Sequence, residues 1–470
     1  MGLWELTVDE LRTGYRQREH SPLEVVDELL GRIESLDPDL GAFRQVLSES
    51  ARRDAARMTE ELAEGRSRGP LHGVPVAIKE LFDVEGAVGC YGSQVFATRI
   101  STRDSAAVDR LRAAGAIIIG LTRSHEFGWG ITTQHSHLGS TRNPWNTDRV
   151  PGGSSGGSAV AVAAGMVPLA VGTDTGGSVR IPAAFCGVVG LKPTFGTISR
   201  RGVVPLAPSL DHVGPMARSV GDLVIALEVL AGFDLEDPAT DHRPLPSLSH
   251  VSGGRLDGIR VGTAPSLHLT PLAPDYSEIF ARTLAAAAEA GAEIVEVSLP
   301  HAERIRPAFT ALQMAEAYHT HSATLGTFPS RAADYGPDVR GRLETAAQVS
   351  IRDYLEAQTE ALKITRRFER AFELVDVMLT PVSAGPPSLV SDPDQTTHLG
   401  HSIPFRELVM DYTVPQDITG LPACVVPAGF DTDNLPVGVQ TTAPGHREDL
   451  ALRVASVLHE QLGNDQRWPV

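Results

Sequence analysis

Cysteine is scarce in this 470-residue chain: Cys90, Cys186 and Cys424 lie far apart, with no CxxC pair and no Cys/His cluster. Such spacing excludes a disulfide framework and a zinc site and fits a reducing cytoplasm. HExxH is missing as well, and the His-rich run His125 to His137 has no metal-ligand spacing, so no metal and no cofactor is expected. Basic residues are in deficit, 41 Lys and Arg against 58 Asp and Glu, a net charge of −17. Nucleic-acid binders carry a basic face, and this balance speaks against one. No run approaches the roughly 18 apolar residues of a membrane-spanning helix. The opening Met1-Gly2-Leu3-Trp4-Glu5-Leu6 has neither a basic nor an apolar region, so no secretory signal is expected.

What is present is an ordinary globular balance, 42% hydrophobic and 21% charged. Residues 1–65 read as a helical N-terminal layer. Thr7-Val8-Asp9-Glu10 and Ser21-Pro22-Leu23-Glu24 are capping boxes, and Leu23, Val26, Leu29, Leu30 and Ile33 follow helical spacing. Residues 66–235 alternate helices with short apolar strands. One strand, Gly73 to Ile78, ends at Lys79; others are Ala116 to Ile119, Val167 to Val171 and Gly187 to Leu191. Residues 236–470 continue the alternation, with strands at Glu293 to Val297, Val375 to Leu379, Ala423 to Val426 and Val437 to Gln440. Continuous apolar strands between helices predict one α/β domain: a large mixed, mostly parallel sheet covered by helices on both faces.

Two glycine–serine segments stand out, Pro151-Gly152-Gly153-Ser154-Ser155-Gly156-Gly157-Ser158 and Gly172-Thr173-Asp174-Thr175-Gly176-Gly177-Ser178-Val179-Arg180. A phosphate loop fails because Ser178 stands where lysine must be. A nucleophile elbow at Gly152 to Gly156 fails because Asn143-Pro144-Trp145-Asn146, before it, is loop rather than strand. Solvated structural turns would suit one such segment. Two of them within thirty residues, with a lysine at a strand end, fit that reading poorly.

From Pro151 to Pro193 the chain closely resembles the amidase-signature family, through GGSSGGS and PLAVGTDTGGSVRIPAAFCGVVGLKPT. GVPVAIKELFDV, GSTRNPWN, TPVS, LPACVVPAG and LPVGVQ extend the likeness over nearly the whole chain. The resemblance implies a serine hydrolase with Lys79 as base, Ser154, after a cis peptide, as relay, and Ser178 as nucleophile. It places an oxyanion hole at the backbone N–H groups of Thr175, Gly176, Gly177 and Ser178. It gives supporting roles to Ser155, Asp174 and Arg180, and an acyl pocket to Gly128, Trp129 and Ile131. The chemistry suits these residues. A serine hydroxyl needs an adjacent base, and a buried lysine can be one because burial disfavours the ammonium form.

For the substrate, the stretch Glu344 to Leu355 lacks the segment expected of the tRNA-dependent amidotransferase glutaminase. No fixed cation for a glutamine carboxylate is therefore expected. The family's stand-alone amidases are the nearer likeness. They imply hydrolysis of a small aryl or alkyl amide, anilide or carbamate through an acyl-enzyme. That role needs no nucleic acid, membrane or partner subunit, and leaves a homodimer open. The alternative is the glutaminase subunit working inside an assembly.

Overall fold

The computed structural model describes residues 2–135, 138–462 and 467–470. The His125 to His137 run therefore falls partly outside the described residues, and the reading of the first residues loses Met1.

The N-terminal helices form where their caps direct. Thr7 Oγ1 accepts from Glu10 N while the Glu10 carboxylate accepts from Thr7 N, opening Val8–Gln17. Ser21 and Glu24 repeat the box, with Pro22 first in Pro22–Leu40. Val25, Val26, Leu29, Leu30 and Ile33 of the second helix are buried, each worth about 1.5–3 kcal/mol of transfer free energy. This layer is not wholly helical: Phe43–Val46 is a strand.

The strands are β1 (Phe43–Val46), β2 (Pro75–Lys79), β3 (Ile117–Thr122), β4 (Leu169–Asp174), β5 (Val189–Lys192), β6 (His212–Ala217), β7 (Arg260–Thr263), β8 (Glu293–Glu296), β9 (Val377–Pro381), β10 (Gln395–His398), β11 (His401–Pro404), β12 (Ala423–Phe430) and β13 (Pro436–Thr442). Among the described residues, eleven of them form one mixed sheet in the order β1-β3-β2-β4-β6-β5-β12-β13-β9-β7-β8, and β10–β11 form a separate hairpin. Parallel pairing occupies two blocks, β3-β2-β4 and β9-β7-β8. Antiparallel pairing joins them through β6, β5, β12 and β13.

Sequence pattern does not show β6, because His212-Val-Gly-Pro-Met-Ala contains the residues that punctuate strands. The sheet nevertheless accepts it between β4 and β5. The helix before β4 is Gly156–Ala163, buried at every position. Two glycines open it because the neighbouring backbone lies so close. A Cβ on Gly157 would sit 2.4 Å from the Ala42 carbonyl oxygen and 2.7 Å from Arg123 N. Among the described residues, no helix is long and apolar enough to cross a membrane.

Candidate active site

The parallel block brings together groups that are distant in sequence. Lys79 is the last residue of β2, which is buried throughout and lies parallel to β4. Ser154 and Ser155 lead into the helix Gly156–Ala163, whose chain then returns as β4. The Lys79 Nζ reaches Ser154 Oγ at 2.7 Å, Ser155 Oγ at 2.9 Å and Thr173 Oγ1 at 2.8 Å. Burial brings the Lys79 pKa down to about 7, against the opposing pull of Asp174, Asp211 and Glu80. A lysine near that value is neutral in large part at neutral pH and offers a lone pair to a hydroxyl. The Gly153–Ser154 peptide is cis. Thr173, which sequence reasoning missed, is the third partner of Lys79. Gly172 makes room for this cluster, since a Cβ there would sit 2.6 Å from Ser155 Oγ.

Ser178 lies beyond β4, buried but facing a cleft. Among the described residues its hydroxyl makes no hydrogen bond, so the Lys79–Ser154 link is formed and the Ser154–Ser178 link is not. The loop that carries Ser178 is pinned from below. Asp174 accepts from the N–H groups of Gly177 at 2.6 Å, Val179 at 3.0 Å and Arg180 at 3.3 Å. It also accepts from Arg180 Nε and Nη2, each at 3.0 Å. Burial raises the Asp174 pKa, but the Arg180 charge outweighs it and holds the carboxyl well below the usual range. Gly177 N–H is therefore already committed to Asp174. Of the four expected oxyanion donors, Thr175, Gly176 and Ser178 keep uncommitted N–H groups among the described residues.

Arg180, wholly buried, continues to Asp417 Oδ2 at 2.7 Å, Gln416 Oε1 at 2.9 Å and Gln440 Oε1 at 3.1 Å. Thr413 Oγ1 donates to the Gly176 carbonyl at 2.7 Å. Sequence reasoning missed Thr413, Gln416, Asp417 and Gln440. They come from the helix Phe405–Thr419 and from β13, far along the chain, and no local pattern ties them to Ser178.

The cleft at Ser178 is lined by Gly128, Trp129, Ile131, Thr175, Gly176, Phe309, Gln313, Arg342, Arg406 and Met410. Its volume is about 40 Å³. Trp129 is held by its Nε1 donating to Gln313 Oε1 at 3.0 Å. The expected lack of a cation is corrected, because two guanidinium groups border the cleft. A second cavity, of about 210 Å³, touches the site from the other side through Thr173, Thr175 and Gly128. It is bordered by Arg200, Asp211, His212 and Asp237. Asp211 accepts from Thr175 Oγ1 at 2.6 Å.

The amidase family model matches residues 24–452. The chain is 38% identical to a subunit of glutamyl-tRNA(Gln) amidotransferase from Methylococcus capsulatus, over 96% of this chain and 95% of the relative. A crystal structure of the corresponding glutamyl-tRNA(Gln) amidotransferase subunit from Thermotoga maritima superposes with a TM-score of 0.82 at 30% identity, covering 97% of this chain and 95% of that one. A chain from a vestigial protein complex, described as revealing the evolutionary origins of an s-triazine catabolic enzyme, reaches a TM-score of 0.91 at 33% identity, covering 97% and 98%.

The curated relatives overturn two expectations drawn from the sequence. A self-sufficient hydrolase of an aryl amide, anilide or carbamate is not what they are, and neither is an enzyme without partners or nucleic acid. Their names are those of one subunit of glutamyl-tRNA(Gln) amidotransferase.

Proposed function

The chain belongs to the amidase family, and from that premise we propose that it is the glutaminase subunit of a tRNA-dependent amidotransferase. In this reading Ser178 attacks the side-chain carboxamide carbon of glutamine. Ser154 accepts the Ser178 proton and passes its own to Lys79. The oxyanion rests on the N–H groups of Thr175, Gly176 and Ser178, such donors typically contributing about 10²–10³ each in rate. The relay then runs in reverse, and Ser154 protonates the departing nitrogen. Ammonia leaves and a γ-glutamyl ester remains on Ser178. Water, deprotonated by the same relay, opens the ester to glutamate and restores the serine.

The observation that carries the reading is the end-to-end match to the amidotransferase subunit sequences, which leaves neither chain with a large unmatched domain. The dehydrated Lys79 bonded to Ser154 supports the chemistry. A cytoplasmic location goes with the role.

The test is ammonia release from glutamine by the purified chain, alone and after reconstitution with the remaining amidotransferase subunits and tRNA. Reconstitution is expected to raise the rate. A reconstituted assembly in which this chain releases no ammonia from glutamine overturns the proposal.

A further inference from the structure

The pairing of β4 with β6 ties the loop that presents Ser178 to a residue outside the catalytic segments. The two strands run antiparallel with Asp174 opposite His212. One further step in that register sets Thr175 opposite Asp211, at the point where β4 has ended and the chain turns toward Ser178. A side-chain bond crosses there: Thr175 Oγ1 donates to Asp211 Oδ1 at 2.6 Å, a distance usual for a hydroxyl on a carboxylate. The other carboxylate oxygen is itself held, since Asp211 Oδ2 accepts from Leu206 N at 2.9 Å and Ala207 N at 3.1 Å. Burial raises the Asp211 pKa to about 6, against the lowering effect of the bonds from Thr175 and Leu206. The group is therefore ionised at neutral pH and acts only as an acceptor. Thr175 N–H, by contrast, is uncommitted among the described residues. A negative charge beside a loop built to hold an oxyanion opposes that oxyanion. Its placement there makes sense if the bond it forms does more for the loop than its charge does against it.

We propose that Asp211 is a positioning residue for the oxyanion hole, fixing Thr175 through its hydroxyl so that the Thr175 N–H meets the substrate's carbonyl oxygen. The inference rests on Ser178 as nucleophile and Thr175 as an oxyanion donor, and it holds whichever amide is cut. The loop is held from separate sides. Asp174 takes the N–H groups of Gly177, Val179 and Arg180, and Thr413 Oγ1 holds the Gly176 carbonyl. Asp211 supplies the remaining hold, on the first residue of the loop. Oxyanion donors work because they are already in place when charge develops, and a misplacement of about 1 Å can cost roughly a hundredfold in rate. Inspection of the sequence misses Asp211 because it precedes β6, whose glycine and proline conceal the strand and with it the register that brings Asp211 to Thr175.

The experiment follows hydrolysis of p-nitrophenyl acetate by the full chain and by Thr175→Val, Thr175→Ser, Asp211→Asn and the double variant Thr175→Val/Asp211→Asn, with Ser178→Ala as the blank. Thr175→Val keeps the side-chain shape and removes the hydroxyl. Asp211→Asn must turn its oxygen to the Leu206 and Ala207 N–H groups and so presents Thr175 with a donor in place of an acceptor. It is the milder change and keeps the test decisive should Thr175→Val fail to fold. Each single variant is expected to lower kcat by about ten- to a hundredfold with KM little changed. Thr175→Ser, which retains the hydroxyl, is expected to lose less than Thr175→Val, and the double variant to lose no more than the worse single one. Affinity for butylboronic acid, which forms a tetrahedral adduct on a nucleophilic serine, is expected to fall by the same factor as kcat. An effect of charge alone has the opposite sign, because removing the carboxylate would favour the oxyanion. A kcat unchanged or raised in Asp211→Asn, losses that multiply in the double variant, or boronate affinity that holds while kcat falls overturns the inference. Ester hydrolysis that survives Ser178→Ala overturns it together with the nucleophile assignment. The expected losses on the ester, with glutamine left untouched by the reconstituted assembly, would instead keep the positioning role and defeat the glutaminase reading.

Discussion

Lys79 ends an apolar strand, wholly buried, and its hydrogen-bond partners are hydroxyls rather than carboxylates. That choice of partners decides its protonation. A carboxylate within ion-pair distance would hold the ammonium form, whereas Ser154, Ser155 and Thr173 serve either form equally, so desolvation prevails. The sign of the pH effect follows. With a pKa of about 7, Lys79 is protonated and unable to accept a proton below that value, and free to accept one above it. Amide hydrolysis should therefore rise as pH increases through 7 and level off, and Lys79→Ala should remove both the activity and this rising limb. A steady-state pH–rate profile of the assembly checks it; a rate falling through that window would rule out Lys79 as the base. At this scale the segments holding Lys79, Ser154 and Ser178 stood out as a long signature, and the structure brings Lys79 to Ser154. Thr173 stood in the same signature, but only the fold shows its hydroxyl on the lysine. The commitment of Gly177 N–H to Asp174 depends on a loop geometry that residue types do not specify. Arg342 and Arg406 border the same cleft from separate helices, a convergence that spacing along the chain does not show.

The helix Gly156–Ala163 is the element on which the site depends. It carries Ser154 and Ser155 at its entrance and lies close against backbone rather than side chains. Gly157→Ala should be destabilising beyond any propensity gain, because the new methyl meets the Ala42 carbonyl and Arg123 backbone at under 3 Å and neither is the end of a flexible side chain. A loss of about 1–3 kcal/mol, the usual range for overpacking, should appear in chemical denaturation. An unchanged midpoint would mean that the helix can shift and that its closeness does not set the serines. Capped helices and apolar strands read well from the sequence because their signals are local. The strand β6 did not, since Gly214 and Pro215 suggest a turn and only pairing with β4 and β5 makes it a strand. The strand β1 did not either, being four residues long between two helices.

For the whole molecule, composition was the least reliable guide. A net charge of −17 describes what this chain's own surface favours, and it suggested an enzyme with no connection to RNA. Relatives matched over nearly their whole length are nonetheless named as a subunit of glutamyl-tRNA(Gln) amidotransferase. The fold class was legible because alternating helices and apolar strands over hundreds of residues allow few architectures. The substrate was not, because side chains that line the Ser178 cleft, such as Phe309, Gln313, Arg342 and Arg406, come from helices far along the chain.

The central claim is that Ser178, served by Ser154 and Lys79, takes the acyl group of glutamine. The most direct measurement is peptide mass spectrometry on the reconstituted assembly, quenched with acid during turnover of glutamine. The account predicts a γ-glutamyl ester on the peptide containing Ser178, absent from Ser178→Ala. A glutamyl adduct on Ser154 instead, or ammonia released at the full rate by Ser178→Ala, would contradict it.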